Sequence, residues 1–73
     1  MDKPIADLEA GDVVVSLVWP DGCRRAIRGG PFEVASIEPT GGHWEGVAQT
    51  RIVAAGRARA DRYANGATHA EVQ

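Results

Sequence analysis

The thiol and imidazole side chains of this 73-residue chain, which could ligate a metal or form a nucleophile–base pair, are Cys23, His43 and His69. A structural zinc site needs about four such ligands at close spacing, and none of the usual spacings occurs. A Cys–His pair can supply a nucleophile and its base. A chain this short has little room for the deep cleft that such chemistry needs. We therefore predict a protein that is not an enzyme, with no catalytic residue, metal or cofactor.

Arginines are the sharpest pattern in the sequence. They fall in two clusters, Arg24, Arg25 and Arg28, then Arg51, Arg57, Arg59 and Arg62. If residues 57–63 form a strand, Arg57, Arg59 and Tyr63 project together, and a neighbouring strand adds Arg24 or Arg51. Guanidinium groups interleaved with an aromatic ring can bind phosphates and stack on bases. The candidate partner-binding residues here are Arg57, Arg59, Arg62 and Tyr63. The interpretation that we favour is a solvated face whose arginine stems cover a thin core.

Trp44 is the other candidate for binding a partner. It lies between His43 and Glu45, directly after a Gly-Gly pair. An exposed tryptophan at such a loop–strand junction would be a binding hot spot. Because the chain has few aromatic residues, we favour the core as the place of both Trp44 and Trp19. His43 and Trp44 are kept as candidate partner-binding residues should the ring prove exposed.

Charge and cysteine content restrict the partners and the compartment. The formal net charge is −2, so the chain has no general attraction to nucleic acid or to an anionic membrane. Cys23 is the only cysteine, so no intrachain disulfide can form, which favours a reducing compartment such as the cytoplasm. The sequence shows no signal peptide and no membrane span. Its many Ala, Gly and Arg residues indicate a GC-rich coding source, such as an actinobacterium or its phage.

Short apolar stretches separated by glycine turns predict an all-β fold. We expect residues 1–73 to form one domain of five or six short antiparallel strands. The predicted strands are 12–19, 23–28, 32–38, 44–53, 57–61 and 67–72, with turns at 20–22, 29–31, 39–42, 54–56 and 63–66. Residues 57–64 also fit a helix, but we favour a strand. Ile37 needs a β-bulge to reach the same face as Phe32 and Val34.

The strand at 12–19 is predicted to be central, because both of its faces are apolar. Alternation places Val13, Val15, Leu17 and Trp19 on one face, and we expect that face to be in the core. Residues 1–10 are predicted to be a lead-in arm or a single helical turn.

Two motifs carry a resemblance to known small barrels. Leu8-x-x-Gly11-Asp12-x-Val14 begins the first strand, and Tyr63-x-x-Gly66 precedes a short last strand that ends in Glu71-Val72. Together they resemble the SH3-like small β-barrels of bacteria and phages, which implies a closed barrel. The Gly-Asp-x-Val entry is also similar to KOW domains of transcription and ribosomal proteins. Gly30-Pro31-Phe32 lies about one hairpin later than the corresponding KOW element, so nucleic-acid binding does not carry over.

These observations favour a non-enzymatic interaction module. We predict an accessory protein of a phage or mobile element that binds a host or self protein. The alternative is a nucleic-acid-binding barrel that uses its arginine-rich face.

Overall fold

Seven short antiparallel strands form one continuous sheet in the computed structural model, which describes residues 1–56 and 61–73. The elements in chain order are β1 (Asp2–Pro4), a 3₁₀ turn (Ile5–Asp7), β2 (Val13–Val18), β3 (Arg24–Ala26), β4 (Phe32–Trp44), β5 (Val47–Ala54), β6 (Arg62–Tyr63) and β7 (His69–Val72). The described residues contain no α-helix, so the all-β prediction is confirmed. Four of the residues predicted to form a strand at 57–61 lie outside the described residues.

Within residues 1–56 and 61–73 the sheet does not close into a barrel, so the predicted barrel is wrong. The strand order is β1-β7-β2-β4-β5-β6, with β3 attached to β2, and the end strands β1 and β6 do not pair with each other. The arm predicted for residues 1–10 supplies β1, which pairs with β7. Two apolar side chains of this segment, Ile5 and Leu8, are buried in the core.

β2 is the central strand, as predicted from its two apolar faces. One edge pairs with β7, and the other edge pairs with β4 at its start and with β3 at its end. The expected inward face needs a correction. The register with β7 shifts at Val15, so Val14 is fully buried while Val13 and Val15 are half-buried. The bulge shifts the alternation of side chains between the two faces of the strand, so the side chain of Leu17 is again buried in the core.

The hairpin of β4 and β5 also differs from the sequence prediction. A loop was expected at residues 39–42, but β4 runs on to Trp44 and the chain turns at Glu45 and Gly46. Both turn residues have positive φ, 51° and 82°, which is the mark of a type I′ turn. The glycines at 41 and 42 form a bulge opposite Gln49 instead of a loop. The hairpin is therefore long, and its tip carries Trp44.

The bulge predicted for Ile37 is present. Val34 pairs with Ala54 and Ser36 with Val53, so one residue between them is extra. Val34 is fully buried, and Ile37 packs against the core from the same side. The core is made of small apolar side chains together with Phe32: Ile5, Leu8, Val14, Leu17, Ile27, Phe32, Val34, Ile52, Ala54, Ala64, Ala67, Ala70 and Val72.

Replacing Glu45 with Asn tests the turn at the tip of the hairpin. Glutamate at positive φ is strained, whereas asparagine followed by glycine is the preferred pair of a type I′ turn. We expect Glu45→Asn to raise the free energy of unfolding by about 1 kcal/mol in urea denaturation. Glu45→Gln, which removes the charge and keeps the strain, should change it by less than about 0.5 kcal/mol. Equal stability of the two variants would contradict the turn described.

Candidate functional site

Three turns meet at one end of the molecule and enclose an open groove. They are the β2–β3 turn, the β4–β5 turn and the turn before β7. The groove has a volume of about 490 Å³, which is within the usual range for ligand sites. Its lining residues are Trp19, Asp21, Cys23, Arg25, Trp44, Glu45 and Asn65.

Gly66 is the point at which the two tryptophans converge. Its φ is +90°, and a Cβ built on it would lie 2.8 Å from Trp44 Cδ1 and 3.4 Å from Trp19 Nε1. The indole Nε1 of Trp19 also donates a hydrogen bond of 2.9 Å to the carbonyl oxygen of Asn65. Both rings therefore pack directly on the backbone of this turn, and no residue with a side chain fits there without displacing them.

The turn that holds the tryptophans is itself fixed to β5. Gln49 Nε2 donates to Asn65 Oδ1 at 2.9 Å, and Asn65 N donates to Gln49 Oε1 at 2.7 Å. Ala64 N donates to the carbonyl oxygen of Thr50 at 2.9 Å. These contacts fix the turn on which the rings of Trp44 and Trp19 pack.

Trp44 is 51% exposed, so it is not part of the core. This decides between the two sequence interpretations in favour of an accessible ring. Trp19 is half-buried and packs against the core. Tyr63, which the sequence also predicted as a binding residue, is 49% exposed but does not line the groove, and neither does His43.

The lining of the groove carries more negative than positive charge. Arg25 is its cation, and its Cζ lies 5.5 Å from the centre of the Trp19 ring, a cation–π distance. Asp21 Oδ1 accepts a hydrogen bond of 2.8 Å from the backbone nitrogen of Cys23. Neither Asp21 nor Glu45 forms an ion pair with any described residue. Two carboxylates against one guanidinium leave the lining with one net negative charge.

The arginine face predicted from the sequence is only partly described, because Arg57 and Arg59 lie outside the described residues. Arg62 donates to the carbonyl oxygen of Arg28 at 2.8 Å. The two arginines expected to join them are neutralised. Arg24 pairs with the carboxylates of β1 and β7 at 2.8–2.9 Å, and Arg51 pairs with those of Glu38 and Asp61.

The Arg24 contacts form a network that joins four strands. Arg24 on β3 binds Asp2 on β1 and Glu71 on β7, and Ser16 on β2 donates to Glu71 Oε1 at 2.8 Å. The bond from Ser16, together with Arg24, lowers the pKa of Glu71. The hydrogen bond from Arg24 lowers the pKa of Asp2. The ion pair of Lys3 with Asp12, 2.8 Å, likewise lowers the pKa of Asp12.

Within residues 1–56 and 61–73, no three His, Cys, Asp or Glu side chains cluster closely enough to bind one ion. Cys23 is a free, exposed thiol on the wall of the groove. None of the described helical segments is long and apolar enough to span a bilayer.

Comparison with protein-family models, curated proteins and solved structures finds no match. The resemblance to SH3-like barrels and to the KOW entry therefore stays a prediction. The site has to be interpreted from its own chemistry.

Most residues that line the groove were not predicted from the sequence, although the sequence contains a signal for them. Trp19 stands directly before Pro20-Asp21-Gly22, and Trp44 stands directly before Glu45-Gly46. A tryptophan at the end of a strand, next to a turn, tends to lie at the end of a sheet where loops gather. The convergence of these two turns with Asn65-Gly66 was not predictable, because it depends on the pairing of strands distant in sequence.

Substituting Gly66 tests the convergence of the tryptophans. Gly66→Ala should cost about 1–2 kcal/mol for its positive φ and about 1–3 kcal/mol more for the contact with both rings. Gly56→Ala is the matched control, because its φ is +94° and none of the residues in 1–56 and 61–73 lies within 4 Å of the added Cβ. Urea denaturation gives the difference, and tryptophan fluorescence should change only in Gly66→Ala. Equal costs in the two variants would rule out the contact.

The ion pairs predict a specific response to acid. The folded-state pKa values of Asp2, Asp12 and Glu71 lie below their ordinary values, so the folded protein binds fewer protons than the unfolded chain below about pH 5. Their stabilisation is complete above that pH and is lost as the pH falls through the folded-state pKa values. Thermal unfolding from pH 7 to pH 2 should show Tm falling below about pH 5.

Glu71→Gln should flatten this fall, because the variant has no carboxyl group at that position to protonate. Glu33→Gln is the control, since Glu33 forms no ion pair with the described residues. An unchanged pH profile in Glu71→Gln would show that the Arg24 network does not set the acid stability.

Proposed function

We propose that this protein is a non-enzymatic interaction module that binds another protein, from a host or its own assembly, through the tryptophan groove. The observation that carries the proposal is Trp44, half exposed and held by Gly66 beside Trp19. Tryptophan is among the residues most enriched at binding hot spots. Trp44 is not one of the core residues, so packing in the core does not explain a tryptophan at this position.

Preorganisation supports the same conclusion. A flexible side chain must be ordered on binding, at a cost of about 0.5–1.5 kcal/mol each. Here the turn that carries Asn65 is already fixed to Gln49, and the indole of Trp19 is fixed to the turn. The groove therefore offers a rigid aromatic surface, which favours an interaction with a folded or extended polypeptide.

A protein partner fits the described charges better than a nucleic acid does. Arg24 and Arg51 are ion-paired, so phosphates would have to compete with carboxylates for them. The aromatic rings of the groove, which could stack on bases, lie beside Asp21 and Glu45, which repel phosphates. The free thiol of Cys23 fits a reducing compartment such as the cytoplasm.

A peptide display library provides the test. We expect selection against the wild-type protein to enrich peptides whose affinity falls about 30-fold in Trp44→Ala, the loss typical of a hot spot. Tyr63→Ala is the matched control, because it removes an equally exposed aromatic ring outside the groove. Circular dichroism verifies the fold of both variants. Equal losses in both variants, or no enrichment, would refute the proposal.

A salt titration distinguishes the alternative. The alternative predicts that labelled DNA or RNA binds at about 50 mM salt, with a slope of about −3 in a plot of log affinity against log salt. If such binding occurs and does not depend on Trp44, the arginine face is the functional surface. We expect no such binding.

A further inference from the structure

Two acidic side chains, Asp21 and Glu45, line the groove, whereas the carboxylates that pair with described cations of the chain lie outside it. Asp2, Asp12 and Glu71 are each satisfied by a cation of the chain. Asp21 and Glu45 are not paired with any described cation, although both lie on the wall of the groove. Asp21 uses Oδ1 for the backbone nitrogen of Cys23, which leaves Oδ2 available to a ligand.

One cation of the chain, Arg25, already packs on an aromatic ring of the groove. The guanidinium of Arg25 lies over the face of Trp19 at 5.5 Å. That contact occupies Trp19 and leaves the ring of Trp44 as the accessible aromatic surface, next to Glu45 in the chain. A second cation would find an aromatic face and unpaired carboxylates together, a combination that suits an ammonium or guanidinium group.

We propose that the groove binds an arginine or lysine side chain of the partner protein, with Trp44 as its platform and Asp21 and Glu45 as its counter-ions. This inference rests on the proposed function and names the chemistry that the groove recognises. The net negative charge of the lining favours a cation over an anion, since Arg25 offsets only one of the two carboxylates.

Synthetic peptides with one variable residue test the charge of the ligand. The set acetyl-Gly-Ser-X-Gly-Ser-amide carries arginine, lysine, citrulline, leucine or glutamate at X, and the indole N–H resonances of Trp44 and Trp19 are followed by NMR. We expect the arginine and lysine peptides to shift the Trp44 resonance in a salt-dependent way. Citrulline, which has nearly the same shape without the charge, should bind several-fold more weakly.

Charge variants of the protein assign the counter-ions. Asp21→Asn keeps the acceptor for the Cys23 nitrogen, and Glu45→Gln keeps the side-chain length. Each should weaken the arginine peptide about two- to fivefold, as expected for an exposed ion pair. Arg25→Gln should strengthen it, because a like charge is removed. Glu33→Gln, an exposed carboxylate outside the groove, should leave the affinity unchanged.

The outcomes separate this inference from the proposed function. Equal binding of citrulline and arginine, preference for glutamate, or no binding of either basic peptide overturns the cation site. Trp44-dependent library peptides without basic residues would do the same and leave the interaction module standing. A library without any Trp44-dependent peptide removes both proposals.

Discussion

Pairing of β2 with three other strands is the interaction on which the rest of the structure depends. One edge of β2 holds β7, and the other edge is divided between β4 and β3. The bulge at Val15 lets Val14 and Leu17 reach the same core despite their odd spacing. β2 ends at Val18. Trp19 follows directly and therefore lies at the end of the sheet where the groove forms. Loss of this pairing would separate the core from the site.

The groove is a consequence of backbone conformation as much as of side chains. A positive φ at Gly66 and the absence of a Cβ allow two indoles to approach one turn. Two hydrogen bonds in opposite directions between Gln49 and Asn65 hold that turn against β5, and Trp19 Nε1 donates to the carbonyl oxygen of Asn65. The two indole rings therefore pack on a turn that hydrogen bonds fix in place.

Some charged side chains of this protein pair with one another across strands, whereas others stay unpaired at the surface. Arg24 and Arg51 are bound to carboxylates that connect strands, so much of the positive charge that is conspicuous in the sequence stabilises the sheet. Asp21 and Glu45 take no part in these pairs. Their position beside Trp44 makes the groove the place where unpaired charge and exposed aromatic surface coincide.

The sequence by itself determined the all-β class, the central position of β2, the turn at Pro20-Asp21-Gly22 and the bulge before Ile37, because glycine turns and apolar spacing act over a few residues. It also marked Trp44 as a candidate binding residue. Only the tertiary structure decided that the sheet stays open, that β4 continues past Pro39 to a turn at Glu45, and that Trp44 lies outside the core. These features depend on pairings between distant strands, on the conformation at Gly66 and on which carboxylate reaches which arginine. Local patterns carry no information about such contacts.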